Sequence, residues 1–118
     1  MKRVLVCGGR EFANRQWLDM VLDKCGPIEI ISGMARGADR MAAEYGYKNG
    51  MAVHEFPADW DKHKKAAGPI RNQQMIDEGH PDAGIAFPGG TGTADMIRRL
   101  KKAGIPVLDL REKGPPWD

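Results

Sequence analysis

The chain has 118 residues, of which 42% are hydrophobic, and a formal net charge of +2. This length fits one domain with a packed core, and so mild a positive charge does not by itself indicate a nucleic-acid partner. Cys7 and Cys25 are too few for a disulfide framework. No apolar run is long enough for a signal peptide core or for the ~20 residues of a membrane helix. The composition therefore predicts a cytoplasmic protein without a membrane partner.

Short apolar runs predict five β-strands, at residues 4–7, 28–31, 52–56, 83–87 and 106–110. Four helices are predicted between them, over residues 14–25, 39–48, 68–78 and from 91 or 93 to 103, and the polar stretch 58–67 is expected to be a loop. Because each connection contains a helix, the strands are expected to pair in parallel through right-handed crossovers. The sequence thus predicts one Rossmann-like three-layer α/β domain over residues 1–112, a five-stranded parallel sheet with helices on both faces, followed by a tail at 113–118.

Fifteen glycines, about twice the usual share, are concentrated after the predicted strands. In an open parallel sheet, ligands bind outside the carboxyl ends of the strands, where these loops lie. The opposite edge contains only ordinary helix-stop signals such as Gly26 and Gly104. Ligand binding is therefore predicted at the carboxyl edge, by Gly8, Gly9, Arg10, Ser32, Gly33, Arg36, Gly37, Asp39, Asp59, Trp60, Arg71, Asn72, Pro88, Gly89, Gly90, Thr91, Gly92 and Thr93.

The sharpest motif is Pro-Gly-Gly-Thr-Gly-Thr at residues 88–93, directly before a predicted helix. Its glycines let backbone N–H groups approach an anion, and the helix adds unpaired N–H groups and the positive end of its dipole. The motif is neither a Walker loop nor the dinucleotide-binding fingerprint. It predicts a phosphate cradle, with a tight strand-to-helix turn capped by threonine as the alternative.

Three side chains near this edge each have two interpretations, and a fourth, Arg71, has one. Arg10 either reaches a phosphate or is solvated, and Asp39 either binds ligand or caps the second helix. Trp60 either stacks on a base or covers the core. Arg71 can fork onto a phosphate. The three histidines show no metal-ligand spacing, so we expect neither a metal nor a required cofactor.

Several segments together resemble the YspA-like branch of the SLOG superfamily. They lie in order along nearly the whole chain, at residues 8–12, 32–40, 56–60, 67–72 and 87–96. The resemblance implies a Rossmann-like fold, a cytoplasmic bacterial or phage protein, and a ligand derived from a nucleotide. It also implies pairing of subunits through helices, and we expect a homodimer or larger oligomer that covers apolar residues such as Met75, Ile76, Met96 and Ile97.

The chain is more distantly similar to the "Lonely guy" phosphoribohydrolases. Arg71 matches an arginine of that family, and residues 88–93 match the start of its motif Pro-Gly-Gly-x-Gly-Thr-x-x-Glu. The glutamate position is Met96 here, and Asp95 lies one residue earlier. A one-residue shift turns a helical side chain by ~100°, so Asp95 is not an automatic substitute. This departure argues against hydrolysis.

Three functions remain open at this point. The leading hypothesis is a binding or sensing domain for a nucleotide or nucleotide derivative. The first alternative is an N-glycosidase acting on a nucleoside monophosphate, with Arg71, Asp95 and Asp39 as its catalytic residues. The second is a single-stranded DNA-binding module, as in the DNA-processing protein A branch of the superfamily, for which the basic surface looks small.

Overall fold

Five parallel strands form the central sheet, in the spatial order β3, β2, β1, β4, β5. The structure is a computed structural model that describes residues 1–117. The strands are β1 Arg3–Cys7, β2 Glu29–Ser32, β3 Val53–Glu55, β4 Ala83–Ala86 and β5 Val107–Asp109. Every neighbouring pair in the sheet is parallel. The predicted α/β fold class is therefore confirmed.

Five helices connect the strands, one more than the sequence predicts. They are α1 Arg15–Cys25, α2 Ala38–Lys48, α3 Trp60–His63, α4 Ala67–Asp77 and α5 Thr91–Lys102. The prediction of a loop over residues 58–67 is wrong, because α3 and a 3-10 turn at Lys64–Ala66 occupy most of this stretch. The Asp59 carboxylate starts α3 by accepting the Lys62 backbone N–H at 3.1 Å, which is ordinary N-terminal capping.

The alternation of side chains along β1 divides the core into two layers. Val4 and Val6 pack with α1 and α2 on one face of the sheet. Leu5 and Cys7 pack with α4 and α5 on the other face. Because both faces of the sheet are covered, its strands are apolar on both sides, as parallel strands usually are.

The apolar residues expected to pair subunits are instead part of the protomer's own core. Met75, Ile76, Met96 and Ile97 are between 1% and 9% exposed and belong to the cluster beneath α4 and α5. The expectation that these four residues lie in a subunit interface is wrong, because the apolar stripes of α4 and α5 are needed to cover the sheet.

The order of the strands reverses at β1, which lies between β2 and β4. The chain leaves β1 towards β2 on one side, whereas β4 and its following loop lie on the other side. Loops that diverge in this way leave a crevice at the carboxyl edge of the sheet, where open α/β proteins bind their ligands. The topology thus places the loop after β1 opposite the loop after β4.

The end of the chain adds no regular element that the structure describes. Residues 113–117, within the predicted tail, contain neither helix nor strand, and Asp118 lies outside the described residues. Across residues 1–117, none of the helices has the length and apolar character needed to cross a bilayer.

Candidate functional site

A cleft of about 500 Å³ lies at the carboxyl edge where the strand order reverses. Its volume is within the usual range of small-molecule sites, roughly 300–1,000 Å³. The cleft is formed by the loop after β1, the start of α2, the helices α3 and α4, and the first turn of α5. The predicted binding residues that line it are Gly8, Gly9, Arg10, Asp39, Trp60, Arg71, Asn72, Gly90, Thr91, Gly92 and Thr93.

Backbone contacts between two glycine loops form one wall of the cleft. The Gly9 N–H donates to the Pro88 carbonyl at 2.9 Å. A Cβ atom added at Gly9 would lie only 3.0 Å from that carbonyl oxygen, and one added at Gly89 would overlap the Thr93 hydroxyl. The loops after β1 and β4 therefore approach closely because both carry glycine.

The first turn of α5 faces the cleft without side-chain cover. Gly90 is its N-cap residue and makes no side-chain cap. Cβ atoms added at Gly90 or Gly92 would meet nothing within 4 Å. The first N–H groups of a helix have no partner within the helix, and the helix dipole makes this end positive. The turn can therefore take an anion.

Arg71 and Asn72 connect α4 to the loops of the cleft. The Arg71 Nη1 atom donates to the Gly33 carbonyl, and its Nε atom donates to the Asn72 side-chain oxygen at 3.1 Å. The Asn72 amide donates in turn to the Asp95 carboxylate at 2.9 Å and to the Gly92 carbonyl at 3.3 Å. These bonds fix the guanidinium of Arg71 at the same cleft as the first turn of α5.

Asp95 lines the cleft, but its oxygen atoms are already engaged. Besides the Asn72 bond, it accepts hydrogen bonds from Arg98 at 2.9 Å and from Arg99 at 2.8 Å. Partial burial alone would raise the pKa of Asp95, but the bonds from Arg99 and Asn72 outweigh it and lower the pKa. Asp95 thus stays ionised and neutralised, and acts as a brace between α4 and α5.

Asp39 is the second carboxylate of the cleft and is nearly inaccessible, with 5% of its surface exposed. Burial raises its pKa to about 6, although Arg71 and the backbone amides of Ala35 and Gly8 lower it in part. The interpretation of Asp39 as a helix cap is wrong, because Gly37 is the N-cap of α2 and Asp39 lies inside the helix.

Arg10 and Trp60 meet at the mouth of the cleft. The Arg10 guanidinium carbon lies 5.4 Å from the centroid of the Trp60 ring, within the range of a cation–π contact. Trp60 begins α3 and is 46% exposed, so the interpretation of this residue as a core cover is wrong.

Seven of the predicted binding residues do not line the cleft: Ser32, Gly33, Arg36, Gly37, Asp59, Pro88 and Gly89. Most of these residues contact the residues that line the cleft and so support its walls. The Ser32 hydroxyl is fully buried and bonds to the Asp39 carbonyl at 2.8 Å. A Cβ atom at Gly33 would crowd the Arg71 guanidinium, and one at Gly37 would overlap the Gly9 carbonyl.

Two of these seven residues have other partners. Arg36 is turned towards solvent and pairs with Glu11 at 2.6 Å, and Asp59 caps α3 as described. Conversely, six residues that no sequence motif indicated as ligand contacts also line the cleft, namely Cys7, Ala35, Lys65, Gly68, Pro69 and Met75. Lys65 lies in the stretch 58–67 that the sequence predicts to be a loop and that the structure shows to be helical.

The described residues offer no metal centre. Within residues 1–117, no three or more His, Cys, Asp or Glu side chains are grouped so that they could hold a metal ion.

The fold and cleft define a Rossmann-like α/β protein with a glycine-lined crevice at the switch point of its sheet. The chain belongs to the YspA, cpYpsA-related SLOG family, whose model matches residues 2–63. It is 36% identical over 127 residues to the Gene 61 protein of Mycobacterium phage D29, a match that covers 96% of this chain and 99% of the phage protein. The resemblance noted in the sequence is thereby confirmed.

Two solved structures share the fold at low sequence identity. DNA processing protein A (DprA) from Streptococcus pneumoniae superposes with a TM-score of 0.79 and 18% identity, over 92% of this chain and 50% of that chain. MurG from Acinetobacter baumannii gives a TM-score of 0.53 and 14% identity, over 92% of this chain and 34% of that chain. The chain therefore spans half or less of the length of these structures.

Proposed function

We propose that the cleft binds a nucleotide or a nucleotide derivative, with a phosphate group held by the first turn of α5. The observation that carries this proposal is the convergence of unpaired helix amides with three cationic side chains. Arg10, Lys65 and Arg71 line the same cleft as residues 90–93. Backbone amides at a helix start and an arginine fork are a recurrent combination for phosphate.

The charges of the cleft favour an anionic ligand. Asp95 is neutralised by Arg98 and Arg99, so Asp39 is the one carboxylate lining the cleft that lacks an ion pair among the described residues. The three cations of the cleft exceed this single negative charge. A phosphate with close to two negative charges near neutral pH would balance the remainder.

The aromatic rim gives the ligand a second recognition element. Trp60 is half exposed at the mouth of the cleft, and Arg10 lies over its ring. Stacking of a base on an aromatic side chain contributes about 1–3 kcal/mol. A ligand that places a phosphate at α5 and a base at Trp60 would be a nucleotide rather than a free inorganic anion.

Cleavage of an N-glycosidic bond is a second candidate function, and it depends on Asp39 rather than Asp95. A buried carboxyl with a pKa of about 6 has the value that general acid catalysis favours near neutral pH. Met96, at the glutamate position of the similar hydrolases, lines the cleft but cannot transfer a proton. Release of free base from AMP that is abolished by Asp39→Asn would establish this candidate, and absence of release supports a binding protein.

Mass spectrometry of small molecules released by denaturing the purified protein tests the proposed function. The native protein is expected to release a phosphate-containing species with the mass of a nucleotide or a nucleotide derivative. Gly90→Val is the comparison variant that should lose the ligand. A Cβ atom at this position meets nothing within 4 Å, so the fold should be kept. The valine side chain should cover the helix amides. Equal recovery from both proteins, or no nucleotide from either, would contradict phosphate binding at α5.

A further inference from the structure

Asp39 is an unexpected residue in a cleft whose other charges favour an anion. Asp39 is 5% exposed and lines the cleft. Its carboxylate lies on the same side of Gly33 as the Arg71 guanidinium. A Cβ atom added at Gly33 would lie 2.7 Å from Arg71 Nη1 and 2.9 Å from Asp39 Oδ2. A phosphate would be repelled by this carboxylate, so a different part of the ligand must face it.

The protein leaves the Asp39 carboxylate with unused acceptor capacity. An ionised carboxylate offers about four acceptor positions. Within the described residues, its side-chain oxygens accept the backbone N–H of Ala35 at 3.4 Å, and the nearby backbone N–H of Gly8 lowers its pKa. Acceptor positions that a protein leaves open at a cleft are normally filled by water or by ligand donors. The ligand group next to Asp39 is thus a hydrogen-bond donor.

We propose that Asp39 binds the ribose hydroxyls of the nucleotide, so that the cleft selects ribonucleotides over deoxyribonucleotides. This inference rests on the proposed function. The two hydroxyls of a ribose are adjacent donors that match the two oxygens of one carboxylate. With phosphate at α5 and base at Trp60, the sugar is the part of the nucleotide left to face Asp39.

Calorimetric titration with AMP, 2′-deoxy-AMP and 3′-deoxy-AMP tests this selection on the native protein. Loss of one hydrogen bond to a charged group is expected to weaken binding by about 10- to 100-fold. AMP should therefore bind at least about tenfold more tightly than either deoxynucleotide. Equal, measurable affinities for all three would overturn the ribose assignment and leave nucleotide binding intact. No binding of any of the three would remove the proposed function and this inference together.

A variant identifies Asp39 as the residue responsible. Asp39→Asn keeps the shape of the side chain but removes the charged acceptor, and the AMP preference should fall to about threefold or less. Asp77→Asn is the matched control, because Asp77 is on α4, does not line the cleft and bonds to Gln73; its AMP preference should equal that of the native protein. An unchanged preference in Asp39→Asn would overturn the assignment. Thermal unfolding of each variant verifies that it is folded. The comparison of AMP with the two deoxynucleotides on the native protein does not depend on either variant.

Discussion

Asp39 and Asp95 are two carboxylates of one cleft whose surroundings move their pKa values in opposite directions. Burial dominates at Asp39 and raises its pKa to about 6. At Asp95, the hydrogen bonds from Arg99 and Asn72 outweigh burial and lower the pKa. Such a division of roles between acidic groups is common at functional sites. Here Asp95 is a structural brace between α4 and α5, and Asp39 is the carboxylate to which the proposals above assign a ligand contact.

The raised pKa of Asp39 makes a prediction about stability. Between its ordinary pKa of 3.8 and about 6, the folded state holds the proton more tightly than the unfolded state, so stability is lost as pH rises through this range. The ionised carboxylate costs about 3 kcal/mol at pH 7.5. Asp39→Asn, which stays neutral, should raise the free energy of unfolding by about 1–3 kcal/mol at pH 7.5 and about half as much at pH 5.

Urea denaturation of both proteins at the two pH values measures this difference. A destabilised Asp39→Asn variant, or a difference that does not change with pH, would show that Asp39 is not buried in its ionised form.

Arg71 is expected to act through the planar fork of its guanidinium, not through charge alone. Arg71→Lys keeps the charge but cannot serve both the Gly33 carbonyl and a phosphate. The variant should bind AMP about 10- to 100-fold more weakly in calorimetry. Arg36→Lys is the matched control, because Arg36 pairs with Glu11 outside the cleft, and its affinity should not change. If Arg71→Lys binds as tightly as the native protein, Arg71 is a surface charge.

The sequence identified most of the cleft at the residue scale but not the role of each side chain. Glycines after strands predict close backbone approach, and Gly9 and Gly90 do line the cleft. The direction of Arg36 and the burial of Asp39 depend on tertiary contacts that no local pattern contains. A polar residue after a strand could equally face solvent, cap a helix or face a ligand.

At the scale of elements, the site depends on the alignment of α4 with α5. Asn72 is 6% exposed and is bonded to both the Asp95 side chain and the Gly92 carbonyl. These bonds hold the first turn of α5 against the helix that carries Arg71. The proposed anion site therefore depends on a contact between two residues, Asn72 and Gly92, that are 20 positions apart along the chain.

Removal of this connection should affect both stability and binding. Asn72→Ala leaves Asp95 with one donor fewer, and the free energy of unfolding should fall by about 1–3 kcal/mol. Affinity for AMP should also fall, because α5 loses its alignment. Gln74→Ala, on the same helix but outside these bonds, should change stability by less than about 0.5 kcal/mol. Equal effects of the two substitutions in thermal unfolding and calorimetry would show that Asn72 does not align the helices.

The element that the sequence missed also lies at the cleft. The run 58–67 is polar and has no apolar period, so periodicity could not predict α3. The sequence feature that indicates α3 is Asp59, a residue type that favours the N-cap position of a helix. Apolar periodicity, which identifies buried helices, does not register such a residue. Trp60 and Lys65 reach the cleft because this segment is a helical turn followed by a 3-10 turn.

At the scale of the whole molecule, the alternation of strands and helices was enough to predict the parallel sheet and its covered faces. Right-handed crossovers and short connections restrict the topology to few choices. The strand order and the position of the switch point required the structure, because the sequence does not state on which side of β1 the chain places β4.

Assembly into a homodimer or larger oligomer stays a prediction, and it now rests on family resemblance alone. Met75, Ile76, Met96 and Ile97 are buried within the protomer and cannot form an interface without unfolding. Light scattering at several hundred micromolar protein tests the prediction directly. A mass of twice 13.0 kDa or more supports it, and a mass of 13.0 kDa over the whole concentration range would contradict it.

The central claim is that the cleft recognises a phosphate group of a nucleotide. Protein freed of bound small molecules by unfolding and refolding is titrated with AMP and with adenosine in a calorimeter at equal pH and salt. AMP should bind at least about tenfold more tightly than adenosine, since the phosphate adds charge-assisted hydrogen bonds, and inorganic phosphate should compete with AMP. Equal affinities for AMP and adenosine, or no binding of either, would contradict the account.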